Sequence, residues 1–143
     1  MSRKSISSLC CVAGALLLAA PQYADAQCSA RTRITGTWLA DDGGTYVVRR
    51  TGGTTIWWLG RSADGGKSFT NVFKGVRNGN RITGDWADVI SQSKDPNSGV
   101  GSLVLEINAT KQGNQEFISG FKKVGGSGAG FGATNWRAEC KQG

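Results

Sequence analysis

Histidine is absent from all 143 residues. Its absence removes Ser-His and Cys-His activation of a nucleophile, and with them the commonest zinc ligand. No stretch beyond residue 26 approaches the roughly 20 apolar residues that a membrane-spanning helix requires. No linker, low-complexity tail or long helical period follows Cys28 either, which points to one domain. Cysteine is scarce: of Cys10, Cys11, Cys28 and Cys140, the first two fall in a leader-like segment.

That segment, residues 1–26, reads as a secretory signal. Arg3 and Lys4 form its basic start, Leu9 to Ala20 its apolar stretch, and Ala24-Asp25-Ala26 an A-x-A cleavage site before Gln27. The expectation is a periplasmic or secreted domain over residues 27–143, without stable membrane insertion. In such an oxidising compartment Cys28 and Cys140 have one intramolecular pairing open to them, a disulfide. Closing a loop of about 110 residues would add roughly 4 to 5 kcal/mol in the chain-entropy model. The reading is a structural staple, because a redox dithiol is more often a C-x-x-C pair.

The formal charge is +7, from 17 Lys and Arg against 10 Asp and Glu. Removing Arg3, Lys4 and Asp25 with the signal leaves the excess positive. A positive surplus outside the cytoplasm suits a small acidic ligand, an acidic glycan or a phosphate-bearing envelope polymer. It equally serves solubility, since the basic residues are scattered. Nucleic acid is not an expected partner, and nothing in the sequence asks for a cofactor or metal.

Against these absences stands a phrase written twice. Arg33-Ile34-Thr35-Gly36-Thr37-Trp38 returns 48 positions later as Arg81-Ile82-Thr83-Gly84-Asp85-Trp86. Ile, Gly and Trp fall two apart, so in a strand they share one face, and Gly36 and Gly84 leave room for an indole. Short β-rich runs follow throughout: Ile34 to Ala40, Thr45 to Arg50, Thr54 to Gly60, Ser68 to Val76, Arg81 to Val89, Gly101 to Asn108, Glu116 to Lys123 and Thr134 to Glu139. Turn chemistry separates them, as in Asp41-Asp42-Gly43-Gly44, Asn78-Gly79 and Gly113-Asn114. About eight strands in an antiparallel meander remove their exposed edges most economically by closing into an up-and-down barrel. Ser91 to Gly99, with Pro96, is expected as a mobile loop at its mouth.

Gly36-Thr37-Trp38 resembles the first-strand G-x-W of calycins, the superfamily of lipocalins, fatty-acid-binding proteins and avidins. The lipocalin resemblance implies that Trp38 packs against an Arg near the last strand, here Arg137. The avidin comparison puts Ala40 and Gly44 where the Asn and Ser that hold biotin would stand, so biotin is not the expected ligand. A group of small exported bacterial proteins resembles the chain over nearly all of residues 27–143. The shared phrases are Ile34 to Trp38, Asp42 to Arg49, Trp57 to Gly60, Asn71 to Gly75 and Trp86 to Val89. This resemblance implies no activity.

Paired carboxylates are the remaining route to catalysis. Asp41 and Asp42 sit in a turn and read as turn acceptors, while Asp85 and Asp88 flank Trp86 on opposite faces, so no glycosidase is expected. The tract from Gly125 to Gly132 lacks the Lys-Ser/Thr of a phosphate-binding loop and reads as a flexible connection into the last strand. The chain is therefore expected to be no enzyme. It is expected to bind a small apolar or acidic ligand at the barrel's open end, with Trp38, Trp86 and Tyr46 as apolar walls and Arg49 and Lys74 as the charge.

Trp57 and Trp58 point to opposite faces, so one of them lies outside or at a rim. An outer indole beside Arg49, Arg61 or Lys74 would stack an envelope sugar, meet another protein as a binding or inhibitory module, or make an oligomer contact.

Overall fold

A computed structural model describes residues 30–89, 99–128 and 130–139. The expected signal segment 1–26, Cys28, Cys140 and all but Gly99 of the expected mouth loop from Ser91 to Gly99 lie outside the described residues.

Eight antiparallel strands close into one up-and-down barrel, each hydrogen-bonded to its neighbours in chain order and the last to the first. They are β1 (Gly36–Ala40), β2 (Thr45–Thr51), β3 (Thr55–Arg61), β4 (Thr70–Asn78), β5 (Arg81–Asp88), β6 (Val100–Gln112), β7 (Gln115–Ser127) and β8 (Asn135–Ala138). Each overlaps one of the eight expected runs. Two-residue connections open with Gly79 and Gly113, both at φ 59°, a left-handed conformation that glycine adopts without steric cost.

The expected Cys28–Cys140 staple is corrected. No disulfide is present among the described residues, and both cysteines fall outside them. The sheet ends are joined instead by backbone pairing of β1 with β8, Trp38 opposite Ala138 and Ala40 opposite Trp136. Asp41 reinforces this seam. Its carboxylate accepts the backbone N–H of Thr134 (2.7 Å) and of Asn135 (3.1 Å), as well as the Thr134 hydroxyl and the Asn135 side-chain amide. It thus ties the β1–β2 turn to the entry of β8.

Alternation decides what faces inward. The register stacks inward rows across β2 to β5: Tyr46, Gly60, Asn71 and Asp88 at one end, then Val48, Trp58, Phe73 and Trp86, then Ile56, Gly75 and Gly84 further in. The second row is an aromatic stack, with Trp58 and Phe73 parallel at 4.2 Å between ring centroids. Phe121 and Trp136 stack at 5.1 Å from the other side of the barrel. These rings, with Trp38 and Tyr46 fully buried, fill most of the interior.

The duplicated phrase does put Ile34, Trp38, Ile82 and Trp86 inside, but its glycines do not make room for indoles. A Cβ on Gly36 would collide with the Arg31 guanidinium, and one on Gly84 with the backbone of β4 at Lys74 and Gly75. Arg137 is exposed on the outer face. The cation over Trp38 is Arg31, 5.6 Å from the ring centroid, so the lipocalin-like pairing with Arg137 is corrected as well.

β6 and β7 run longer than expected. The first part of the glycine tract is strand and not connection: Gly125, Gly126 and Ser127 pair with Val104, Leu103 and Ser102. A Cβ on Gly126 would strike the Ser102 carbonyl oxygen, so glycine is what permits this close approach. A register shift between Asn108 and Ala109 leaves Ser119 as an extra residue on β7. This bulge turns both Ile118 and Phe121 inward, although simple alternation would separate them.

Candidate functional site

The β1–β2 turn, the long β3–β4 connection, the end of β5 and the approach to β8 all gather at one end of the barrel. Between them lies a cavity of about 250 Å³. Asp42, Tyr46, Asn71, Trp86, Asp88 and Phe131 supply its chemistry, with Phe69 at the side.

Its floor is built by polar groups that hold rings in place. The Trp58 indole N–H donates to Asn71 Oδ1 at 3.0 Å. The Tyr46 hydroxyl donates to Asp42 Oδ2 at 2.8 Å, and Asp42 Oδ1 accepts the Gly44 N–H at 2.8 Å, the turn role expected of that residue. Gly60 has no side chain because Tyr46 and Asn71 occupy the space a Cβ would need. Phe131 lies across the opening, edge-on to Trp86 at 4.9 Å between centroids. Lys123 Nζ donates to the Phe131 carbonyl at 3.0 Å and so fixes that segment.

The electrostatic character is acidic. Burial pushes the Asp88 carboxyl above the usual carboxylate range. Burial, followed by the adjacent Asp42 carboxylate, pushes the Tyr46 hydroxyl far up, so it stays a donor. Among the described residues no lysine or arginine lines the cavity, although Lys123 Nζ stands 5.8 Å from the centroid of the Phe131 ring. The Trp86 indole N–H is buried without a hydrogen-bond partner among the described residues. Such a donor carries a desolvation cost of about 1–3 kcal/mol. Among the described residues no group of three or more His, Cys, Asp or Glu is arranged to hold a metal ion.

Of the expected site residues, Tyr46 and Trp86 meet at this mouth. Trp58 lies one row beneath, 4 % exposed, while its neighbour Trp57 is 43 % exposed on the outer face. Trp38 is buried with Phe121 and does not line the cavity. Arg49 and Lys74 are corrected: each follows an inward residue, Val48 and Phe73, and so projects outward. They supply no charge to the mouth. Asn71, Asp42, Asp88 and Phe131 were not singled out as ligand contacts. Parity offered a signal for Asp88, since Ile82, Gly84, Trp86 and Asp88 fall two apart. Phe131 offered none, because it lies outside the strands.

Comparison of the chain with protein-family models, with curated proteins and with solved structures finds no match.

Proposed function

We propose that this protein binds a small organic cation with a flat apolar body at the barrel mouth, holding it without transforming it. The observation that carries this reading is the composition of the cavity: aromatic walls and two carboxylates, Asp42 and Asp88, with no basic side chain in the lining among the described residues. Aromatic faces attract cations, and a carboxylate in a partly desolvated site gains by acquiring a counter-charge. A volume of about 250 Å³ lies just under the usual range of drug-sized pockets, about 300–1,000 Å³, and suits a small molecule. The aromatic rows buried beneath the mouth favour a small ligand over a long lipid chain.

Binding without chemistry is supported by the lack of histidine and by the structural duties of Asp41 and Asp42. Export is supported by the signal-like segment 1–26. The earlier expectation of an acidic ligand held by Arg49 and Lys74 gives way to a cationic one.

Tryptophan fluorescence and calorimetry with matched pairs of aromatic amines and aromatic carboxylates test this. The amines are expected to bind and the acids to leave both signals unchanged, with Trp86→Phe and Asp88→Asn each weakening the amine. Preference for the acids, or amine binding indifferent to both substitutions, would sink the reading.

A further inference from the structure

Strands β3 and β4 are paired with a neighbour on both sides along their length, so a partner meets them on their side-chain face. One face is apolar. Across β2 to β5 an outward row reads Val47, Leu59, Val72 and Ala87, and the next reads Arg49, Trp57, Lys74 and Asp85. The row after that, Thr51, Thr55, Val76 and Thr83, carries no charge. Val47, Trp57, Leu59, Val72 and Val76 are all exposed. Adjoining exposed apolar side chains of this kind mark contact surfaces.

We propose that the outer face of β3 and β4 pairs with the same face of a second copy of this chain, around a twofold axis running along the strands. The order of the charges selects this partner. In an isologous contact each position meets its mirror image across the axis. With the axis between β3 and β4, β3 faces β4 of the second copy and β2 faces its β5. Leu59 then meets Val72, Trp57 meets Lys74, and Arg49 stands across from Asp85. Every charge in these three rows finds an opposite charge or an aromatic face, while Arg61, in the outward row beyond Leu59, faces Thr70. Turning the axis across the strands would set Arg49 against Arg49 and Lys74 against Lys74, which is repulsive.

Within one chain Lys74 Nζ already sits 5.1 Å from the centroid of the Trp57 ring, so the two groups are placed for the contact that the second copy repeats. An acidic glycan would be drawn by Arg49 and Lys74 but would leave Asp85 and the row from Val47 to Ala87 without a role. The inference stands apart from the ligand reading, since these residues share nothing with the mouth.

Sedimentation equilibrium of the full domain over a range of concentrations tests it, with acidic polysaccharide retention as a second arm. The expected result is a dimer that Leu59→Asp and Val72→Asp each convert to monomer, with far-ultraviolet dichroism unchanged because both positions are exposed. Asp85→Arg is expected to weaken association about tenfold, and Asp85→Arg with Arg49→Asp to recover most of it. A monomer at every concentration, or a dimer indifferent to Leu59→Asp, overturns the proposal. So does a monomer retained by polysaccharide through Trp57, which assigns the face to a glycan.

Discussion

The guanidinium of Arg31 lies over the indole of Trp38 and occupies the space that Gly36 leaves by having no side chain. The segment carrying Arg31 is stitched to β7 by a pair of backbone hydrogen bonds with Ile118, 2.8 and 2.7 Å. Arg31 Nη2 donates to the Glu139 carbonyl at 3.2 Å, and Trp38 Nε1 donates to the Ile34 carbonyl at 2.7 Å. The chain ahead of β1 thereby seals the barrel at the end away from the mouth.

Removing that seal should be costly, whereas removing the residue that the lipocalin resemblance pointed to should not. Arg31→Ala is expected to lower unfolding free energy by about 1–2 kcal/mol through the lost cation–aromatic contact and hydrogen bond. Arg137→Ala, at an exposed position, should stay within about 0.5 kcal/mol of the parent. Urea denaturation of the two variants decides between them, and the reverse ranking would remove Arg31 from this role.

Asn71 couples the mouth to the aromatic stack. Asn71→Ala leaves the Trp58 N–H buried without its acceptor, and about 1–3 kcal/mol of stability should be lost. Near-ultraviolet dichroism, which reports tryptophan packing, should change with it. An unchanged spectrum at full stability would mean that Trp58 does not depend on this bond.

Acid should loosen the β1–β8 seam. Partial desolvation pushes the Asp41 carboxyl up, but the hydrogen bonds from Thr134 and Asn135 together outweigh it and hold the group well below the usual carboxylate range. A folded value below the unfolded one, about 3.9 for Asp, contributes stability that is fully present above the unfolded value and is lost as pH falls toward the folded one. The stability gap between the parent and Asp41→Asn should therefore be constant near neutrality and shrink below about pH 4. A gap that stays level through that range would show that the carboxylate is not the clip.

Asp88 behaves in the opposite sense. Desolvation raises its carboxyl in the folded state, so ionisation works against folding once the pH passes the unfolded value. Asp88→Asn should accordingly be more stable than the parent at neutral pH and equal to it in acid. Amine binding should strengthen as pH rises through the titration of Asp88, and the Asn variant should lose that dependence. Thermal melts and amine titrations at several pH values measure both, and a less stable Asn variant would contradict the account.

Strand content was legible because Ile82, Gly84 and Trp86 of β5 fall two apart and turn residues bound each run, whereas β3 is apolar on both faces. In Ile56-Trp57-Trp58-Leu59 the sequence requires one indole in and one out, yet which is which depends on β3 pairing with β2 and β4. Gly36 and Gly84 were legible as gaps but not as to their contents. An arginine from ahead of β1 fills one and the backbone of β4 presses on the other. The mouth was the least legible, since Asp42, Asn71, Asp88 and Phe131 come from four separate places along the chain.

By itself the sequence determined that there are about eight strands and where most of their turns fall, because these follow from period-two alternation and from glycine's access to left-handed φ. Closure and register were decided only in three dimensions. Pairing between strands sets which rows meet, so it placed carboxylates at the mouth and the basic residues beside Trp57 outside. Local propensity carries no information about which distant residue will stand opposite.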